Sequence, residues 1–125
     1  MAGVRVLVVD HYEPLRWLKA HLLRRTGAEV LEAATGAEAL DTLDAAKVDV
    51  ALLDCSLIDM PAAEVRRKMR EKPAAAAVPV IYIVASETDQ PPPNGEAFLQ
   101  EPLDADKLAS TILVVLRLAA SPGGS

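Results

Sequence analysis

Apolar and polar positions follow two rhythms along the chain, one of short continuous apolar runs and one of helical spacing. Val4 to Val9 is almost unbroken β-branched and apolar and ends at Asp10, as a strand buried on both faces of a parallel sheet would. Pro14 then opens a helical stretch whose Leu15, Leu18 and Leu22 share one face, closed by Arg24-Arg25 and Gly27. Glu29 to Ala33 is a second short strand, and Thr35 with Glu38 reads as a capping box for a helix carrying Ala39, Leu40 and Leu43. Val48 to Leu53 gives a third strand, again ending at an aspartate, Asp54. Ala62 to Glu71 has helix-forming composition and stops before Pro73; Val78 to Val84 and Phe98 to Gln100 give two more strands. Asp104 is the N-cap of a last helix to about Leu118, with Leu108, Ile112, Val115 and Ala119 inward.

Strands that alternate with helical spacers imply right-handed crossovers and a parallel sheet covered on both sides. The predicted fold is a doubly wound α/β domain of five strands in the order 2-1-3-4-5. One interval breaks the pattern. Ser86 to Ala97 contains Pro91-Pro92-Pro93-Asn94-Gly95, which cannot run as a helix, so the fourth helix of such a fold is expected to be missing or shortened.

Composition narrows the function classes. A chain of 125 residues, 51% hydrophobic and 25% charged, fits one globular domain and excludes a disordered segment. The formal charge of −5 and the scarcity of aromatics (Tyr12, Trp17, Tyr82, Phe98) argue against nucleic-acid partners. The single cysteine, Cys55, excludes an internal disulfide and a multi-cysteine zinc site and suits a cytoplasmic location. No apolar run is long enough to suggest a membrane partner. The expected division is a domain over residues 1–119 and a Gly/Ser-containing tail or linker over 120–125, as in a module of a longer protein.

The candidate chemistry lies at the strand ends. In an open α/β sheet the ligand crevice lies beyond the carboxyl ends of the strands at the switch point, where Asp10 and Asp54 converge. Two carboxylates meeting there repel each other, and a hard cation such as Mg2+ offsets the repulsion through oxygen ligation. The plainer alternative is that each acid caps a strand-to-helix turn.

The stretches Val6-Leu7-Val8-Val9-Asp10 with Glu13-Pro14-Leu15-Arg16, Ala34-Thr35-Gly36-Ala37-Glu38-Ala39-Leu40, Asp49-Val50-Ala51-Leu52-Leu53-Asp54, Val78-Pro79-Val80-Ile81 and Phe98-Leu99-Gln100-Glu101-Pro102-Leu103 together resemble the response-regulator receiver domain of two-component signalling. The resemblance covers essentially the whole folded length and implies a flavodoxin-like fold and a signalling module, not an enzyme. It makes Asp54 the phosphoacceptor, phosphorylated by a histidine kinase or a small phosphodonor. Asp10 becomes the first of the paired metal-holding acids, Ser56 the residue whose backbone carbonyl completes a Mg2+ shell, Phe98 the aromatic switch position, and Pro102 a proline preceded by a cis peptide.

Three positions depart from the family pattern. The second acid is His11, the switch hydroxyl position at the end of the fourth strand is Val84, and the lysine before the proline is Glu101. Phosphoryl transfer needs cationic groups where charge develops, and Glu101 brings a negative one. The expectation is an atypical receiver whose Asp54 is impaired and which works mainly through protein contacts. A working Mg2+-dependent receiver, with Ser86 or water replacing the lost hydroxyl, is the alternative. A Glu-Pro in place of Lys-Pro also resembles receiver modules fused to sensor kinases. The absence of a glycine-rich loop after the first strand weakens a cofactor-binding reading.

Other residues have plainer readings beside functional ones. His11 is read as a solvated loop residue in preference to a metal ligand, His21 as a surface residue beside Trp17, and Trp17 as half-buried packing or part of a partner patch. Arg66, Arg67, Lys68 and Arg70 read as a solvated helix face. The last helix, Thr111 to Leu118, is apolar nearly all round, which suggests a homodimer or a contact with a following helix.

Overall fold

The computed structural model describes residues 1–120, so the tail expected over 120–125 lies, apart from Ala120, outside the described residues. Five parallel strands, β1 (Arg5–Val9), β2 (Glu29–Ala33), β3 (Val50–Asp54), β4 (Val80–Val84) and β5 (Ala97–Gln100), form one sheet in the order β2-β1-β3-β4-β5. Helices α1 (Glu13–Arg25), α2 (Gly36–Ala45), α3 (Ala62–Arg70) and α4 (Ala105–Ala119) complete the doubly wound α/β architecture.

The apolar runs produce two cores, one on each side of the sheet. On one side Leu7, Val9, Leu53 and Tyr82 pack with Leu43 of α2 and Val65 and Met69 of α3. On the other, Val6, Val8, Leu52 and Ile83 pack with Leu23 of α1 and Leu108, Ile112 and Val115 of α4. Every residue of β3 and β4 is buried, which explains why these strands read as continuous apolar runs rather than alternating ones.

Local signals set the helix starts. Thr35 accepts from the Glu38 amide at 3.1 Å and Asp104 from the Lys107 amide at 2.7 Å, as N-caps do. Asp59 adds a second cap to α2 from a distant loop, its carboxylate accepting from the Gly36 and Ala37 amides at 2.9 and 3.0 Å.

The structure corrects three expectations about faces and bounds. The third strand begins at Val50, not Val48, because the Asp49 side chain takes the Arg5 amide at 2.8 Å at its threshold. On α1 the buried face is Lys19, Ala20 and Leu23, whereas Leu18 is exposed and Leu15 and Leu22 are half-buried. On α4 Leu108, Ile112 and Val115 are buried but Ala119, the last residue of the helix, is exposed.

Between Val84 and Ala97 no helix forms. The proline segment is instead irregular chain, pinned at Glu96, which accepts from the Val80 amide at 2.7 Å and from Arg70 at 3.0 Å. Gly95 lies directly on the Tyr82 ring, where an added Cβ would come within 2.5 Å of it.

Candidate functional site

Sheet register decides which side chains meet. Val9 pairs with Leu53, so Asp10 and Asp54 emerge at adjacent strand ends. Val84 pairs with Gln100, and the Glu101 amide donates to the Val84 carbonyl at 2.9 Å, which brings Glu101 to the same end of the sheet. The Glu101-Pro102 peptide is cis.

Asp10 is fully buried and both its oxygens are engaged. Its Oδ1 accepts from the Tyr12 amide at 2.9 Å, and its Oδ2 accepts from the Lys19 ammonium at 2.7 Å. Burial pushes the Asp10 carboxyl up, but the Lys19 ammonium and the Tyr12 amide outweigh it and hold the group below the usual carboxylate value. Lys19 itself is only 3% exposed, and its Nζ also lies 3.8 Å from the Glu101 carboxylate.

Asp54, 3% exposed, has the opposite balance. Its Oδ1 accepts from both the amide and the hydroxyl of Ser56, at 3.0 and 2.8 Å. Its Oδ2 faces His11 Nδ1 at 3.7 Å. Burial, reinforced by the neighbouring Asp10, raises the Asp54 carboxyl above the usual value despite the Ser56 donors. Glu101 is raised as well, by burial first and then by Asp10 and Asp54, against the pull of Lys19.

One ligand atom each from Asp10, His11 and Asp54 lies within 4.8 Å of the others, so the three can converge on a cation. The donor set does not suit Mg2+, which prefers oxygen ligands in near-octahedral array. One donor is an imidazole nitrogen, and Asp10 Oδ2 already carries an ammonium at hydrogen-bond distance.

The other expected residues fall as follows. Val84 is buried at the end of β4 and offers no hydroxyl. Ser86 lies beyond the strand in a turn, its hydroxyl bonded to that of Thr88 at 2.9 Å. Phe98 is 57% exposed on β5. Cys55 is partly buried, its thiol pushed up to about 11 by burial and then by Asp54, which keeps it protonated and unreactive at neutral pH. Trp17 is exposed and stacks on His21 with ring centroids 4.8 Å apart. The α3 basic run departs from a simple solvated face, because Arg66 and Arg70 reach Glu96 at 3.5 and 3.0 Å and fasten the proline segment.

Lys19 is the site residue that sequence reasoning missed. The leucine stripe drew the buried face of α1 about one residue out of phase, which left Lys19 on the side. A signal was present in Glu101: a third acid at this strand end asks for a cation, and the helix that begins beside Asp10 carries one.

Comparison with known proteins agrees with this geometry. The chain is 32% identical over 117 residues to the sensory transduction protein RegX3 of Mycobacterium tuberculosis, covering 90% of this chain and 50% of that protein, so it spans half the length of that relative. Among solved structures, the chemotaxis protein CheY4 of Vibrio cholerae superposes with a TM-score of 0.83 at 26% identity, over 91% of this chain and 99% of that one. The receiver domain of the sensor histidine kinase PA1611 of Pseudomonas aeruginosa superposes with a TM-score of 0.84 at 21% identity, over 93% and 99%, and holds a magnesium ion in its active-site cleft. Residues 6–111 match the response regulator receiver domain, and the chain belongs to that family of two-component signalling modules.

Proposed function

We propose that the chain is an atypical receiver module of a two-component phosphorelay that acts mainly through protein–protein contacts, with an impaired phosphoacceptor at Asp54. The observation that carries the reading is the place of Glu101, whose carboxylate shares the Lys19 ammonium with Asp10 at the strand end where the family carries a lysine. Accepting a phosphoryl group at Asp54 adds charge to a crevice that already holds three carboxylates. Neither Glu101 nor Val84 offers a donor to the incoming oxygens, and stabilisation of that charge is the larger part of phosphoryl-transfer catalysis.

In this reading Asp10, Asp54 and the Ser56 carbonyl keep the positions of the family's metal shell, Mg2+ is held weakly, and the module performs no catalysis beyond its own phosphorylation. Its partners are a histidine kinase or another signalling protein, in the cytoplasm. The exposed Leu113, Val114 and Leu118 on α4 support a homodimer through that helix. Exposed Phe98 supports a protein contact at the neighbouring edge of the sheet.

The second reading is a working receiver phosphorylated on Asp54 by a histidine kinase. It is favoured by Asp54 Oδ2, which faces His11 Nδ1 at 3.7 Å, beyond hydrogen-bond distance, while the Ser56 donors engage the other oxygen. Intact-mass analysis after incubation with Mg2+ and acetyl phosphate, beside Asp54→Ala, separates the two. No adduct under conditions that label an ordinary receiver supports the first reading. A stoichiometric adduct that depends on Asp54 establishes the second.

A further inference from the structure

We propose that Lys19 is the resident cation of this site, occupying on Asp10 the place that a divalent ion would take and so weakening the cluster's hold on metal. Three facts converge on this assignment. The Lys19 ammonium bonds Asp10 Oδ2 at 2.7 Å, and the other Asp10 oxygen is committed to the Tyr12 amide. A metal binding Asp10 must therefore share an oxygen with an existing donor or displace Lys19. Lys19 is held by burial, at 3% exposure, and by a second acid, Glu101, at 3.8 Å. The departure at Glu101 and the buried lysine on α1 thus form one exchange: the cation enters from the helix and the acid from the end of the strand.

Lys19 lies on the face of α1 that packs on the sheet, with Ala20 and Leu23, so its stem is enclosed by the core and only the ammonium reaches the acids. Displacing it would leave an ammonium buried without its partner, so a divalent ion must bind in competition with a desolvated, hydrogen-bonded pair. The effect on metal affinity is accordingly expected to be at least about tenfold.

This assignment rests on reading the cluster as a remodelled receiver site, but its test does not rest on phosphorylation. The probe is MgCl2 alone, titrated into the full chain while the Tyr12 and Ser56 amide resonances are followed, since these amides donate to Asp10 and Asp54. Two variants are compared with the wild type: Lys19→Met, and Lys19→Met/Glu101→Gln, which removes one charge of each sign and carries the comparison should the single variant not fold. The expected result is saturating shifts in the variants, at Mg2+ concentrations that leave the wild-type amides unmoved. Wild-type saturation with the same affinity as the variants would overturn the proposal, as would folded variants that gain no Mg2+ affinity. Its failure is distinct from that of the impaired-phosphoacceptor reading. Adduct formation on Asp54 in a wild type that binds no Mg2+ removes the latter and leaves Lys19 in place, whereas Mg2+ binding without an adduct does the reverse.

Discussion

Replacing Asp54 by asparagine should make the protein more stable, against the usual direction for a buried polar substitution. The change is nearly isosteric, and an asparagine Oδ1 can still accept from the amide and hydroxyl of Ser56. What it removes is a negative charge whose ligand atom lies within 4.8 Å of that of Asp10. At that separation and an effective dielectric of about 20, two like charges repel by about 3.5 kcal/mol. The Lys19 ammonium on Asp10 cancels a large part of this, leaving a net gain of about 1–2 kcal/mol for the variant, or about 3–10 °C in Tm. The pH dependence gives a second check. Because the folded state raises the Asp54 carboxyl above 3.8, the folded protein binds that proton more tightly than the unfolded chain, and ionisation destabilises the fold. The penalty is fully present above the folded-state value and vanishes as pH falls through it toward 3.8, so the advantage of Asp54→Asn is largest at alkaline pH and shrinks on acidification. Glu101 is raised in the same direction, but it is present in both proteins and its contribution largely cancels in the difference. Urea unfolding of both proteins at pH 8 and pH 5 in EDTA measures this directly. An Asp54→Asn variant that is less stable at pH 8, or a gap that widens on acidification, would refute the electrostatic reasoning.

Three further substitutions test the framework around the site. Asp59→Ala removes acceptors for the Gly36 and Ala37 amides and should destabilise the protein by about 0.5–2 kcal/mol, read as a lower urea midpoint at pH 7. Gly95→Ala places a Cβ 2.5 Å from the buried Tyr82 ring and should cost about 1–3 kcal/mol, with faster amide exchange in the proline segment than in the wild type. Tyr82→Phe removes a buried hydroxyl that has no hydrogen-bond partner among the described residues, so calorimetry should find the variant as stable as the wild type or more so.

The fold was legible because its signals were local and mutually consistent. The apolar run before Asp10, the pairs Thr35–Glu38 and Asp104–Lys107, and Pro91-Pro92-Pro93 each dictate backbone geometry within a few residues. The sheet order is one of the common doubly wound orders that right-handed crossovers allow. The convergence of Asp10 and Asp54 was legible for the same reason, since it depends on strand order alone. What escaped was side-chain direction on α1, where a shift of one residue in helical phase decides whether Lys19 meets solvent or Asp10. Leu15, Leu18 and Leu22 define a face at helical spacing, yet the buried face is Lys19, Ala20 and Leu23, with the Lys19 ammonium bonded to Asp10. Hydrophobic pattern registers apolar burial, and a buried ion pair is invisible to it. The fastening of Glu96 to Arg66 and Arg70 was hidden likewise, because it joins residues from two distant segments through charged ends that each read as solvated.

The departures at the site and the missing helix bear on each other through β4 and β5. In the proposed reading, a phosphoryl group on Asp54 would be sensed by a hydroxyl at the end of β4, and the response would pass to the helix that follows. Here that strand ends in Val84, fully packed, and is followed by a turn in which Ser86 bonds Thr88 and Asp89 instead of reaching back to the acids. The next segment is tied down by Glu96 and pressed on Tyr82, which opposes the small sliding motions that a switch uses. In the proposed reading the absent hydroxyl and the absent helix are consistent losses, since retaining either alone would serve no relay. In the proposed reading the surfaces left for signalling are the exposed stack of Trp17 and His21 on α1 and the apolar Leu113, Val114 and Leu118 of α4. In that reading both helices, packed on one core on the same side of the sheet, offer contacts that do not require a change at Asp54.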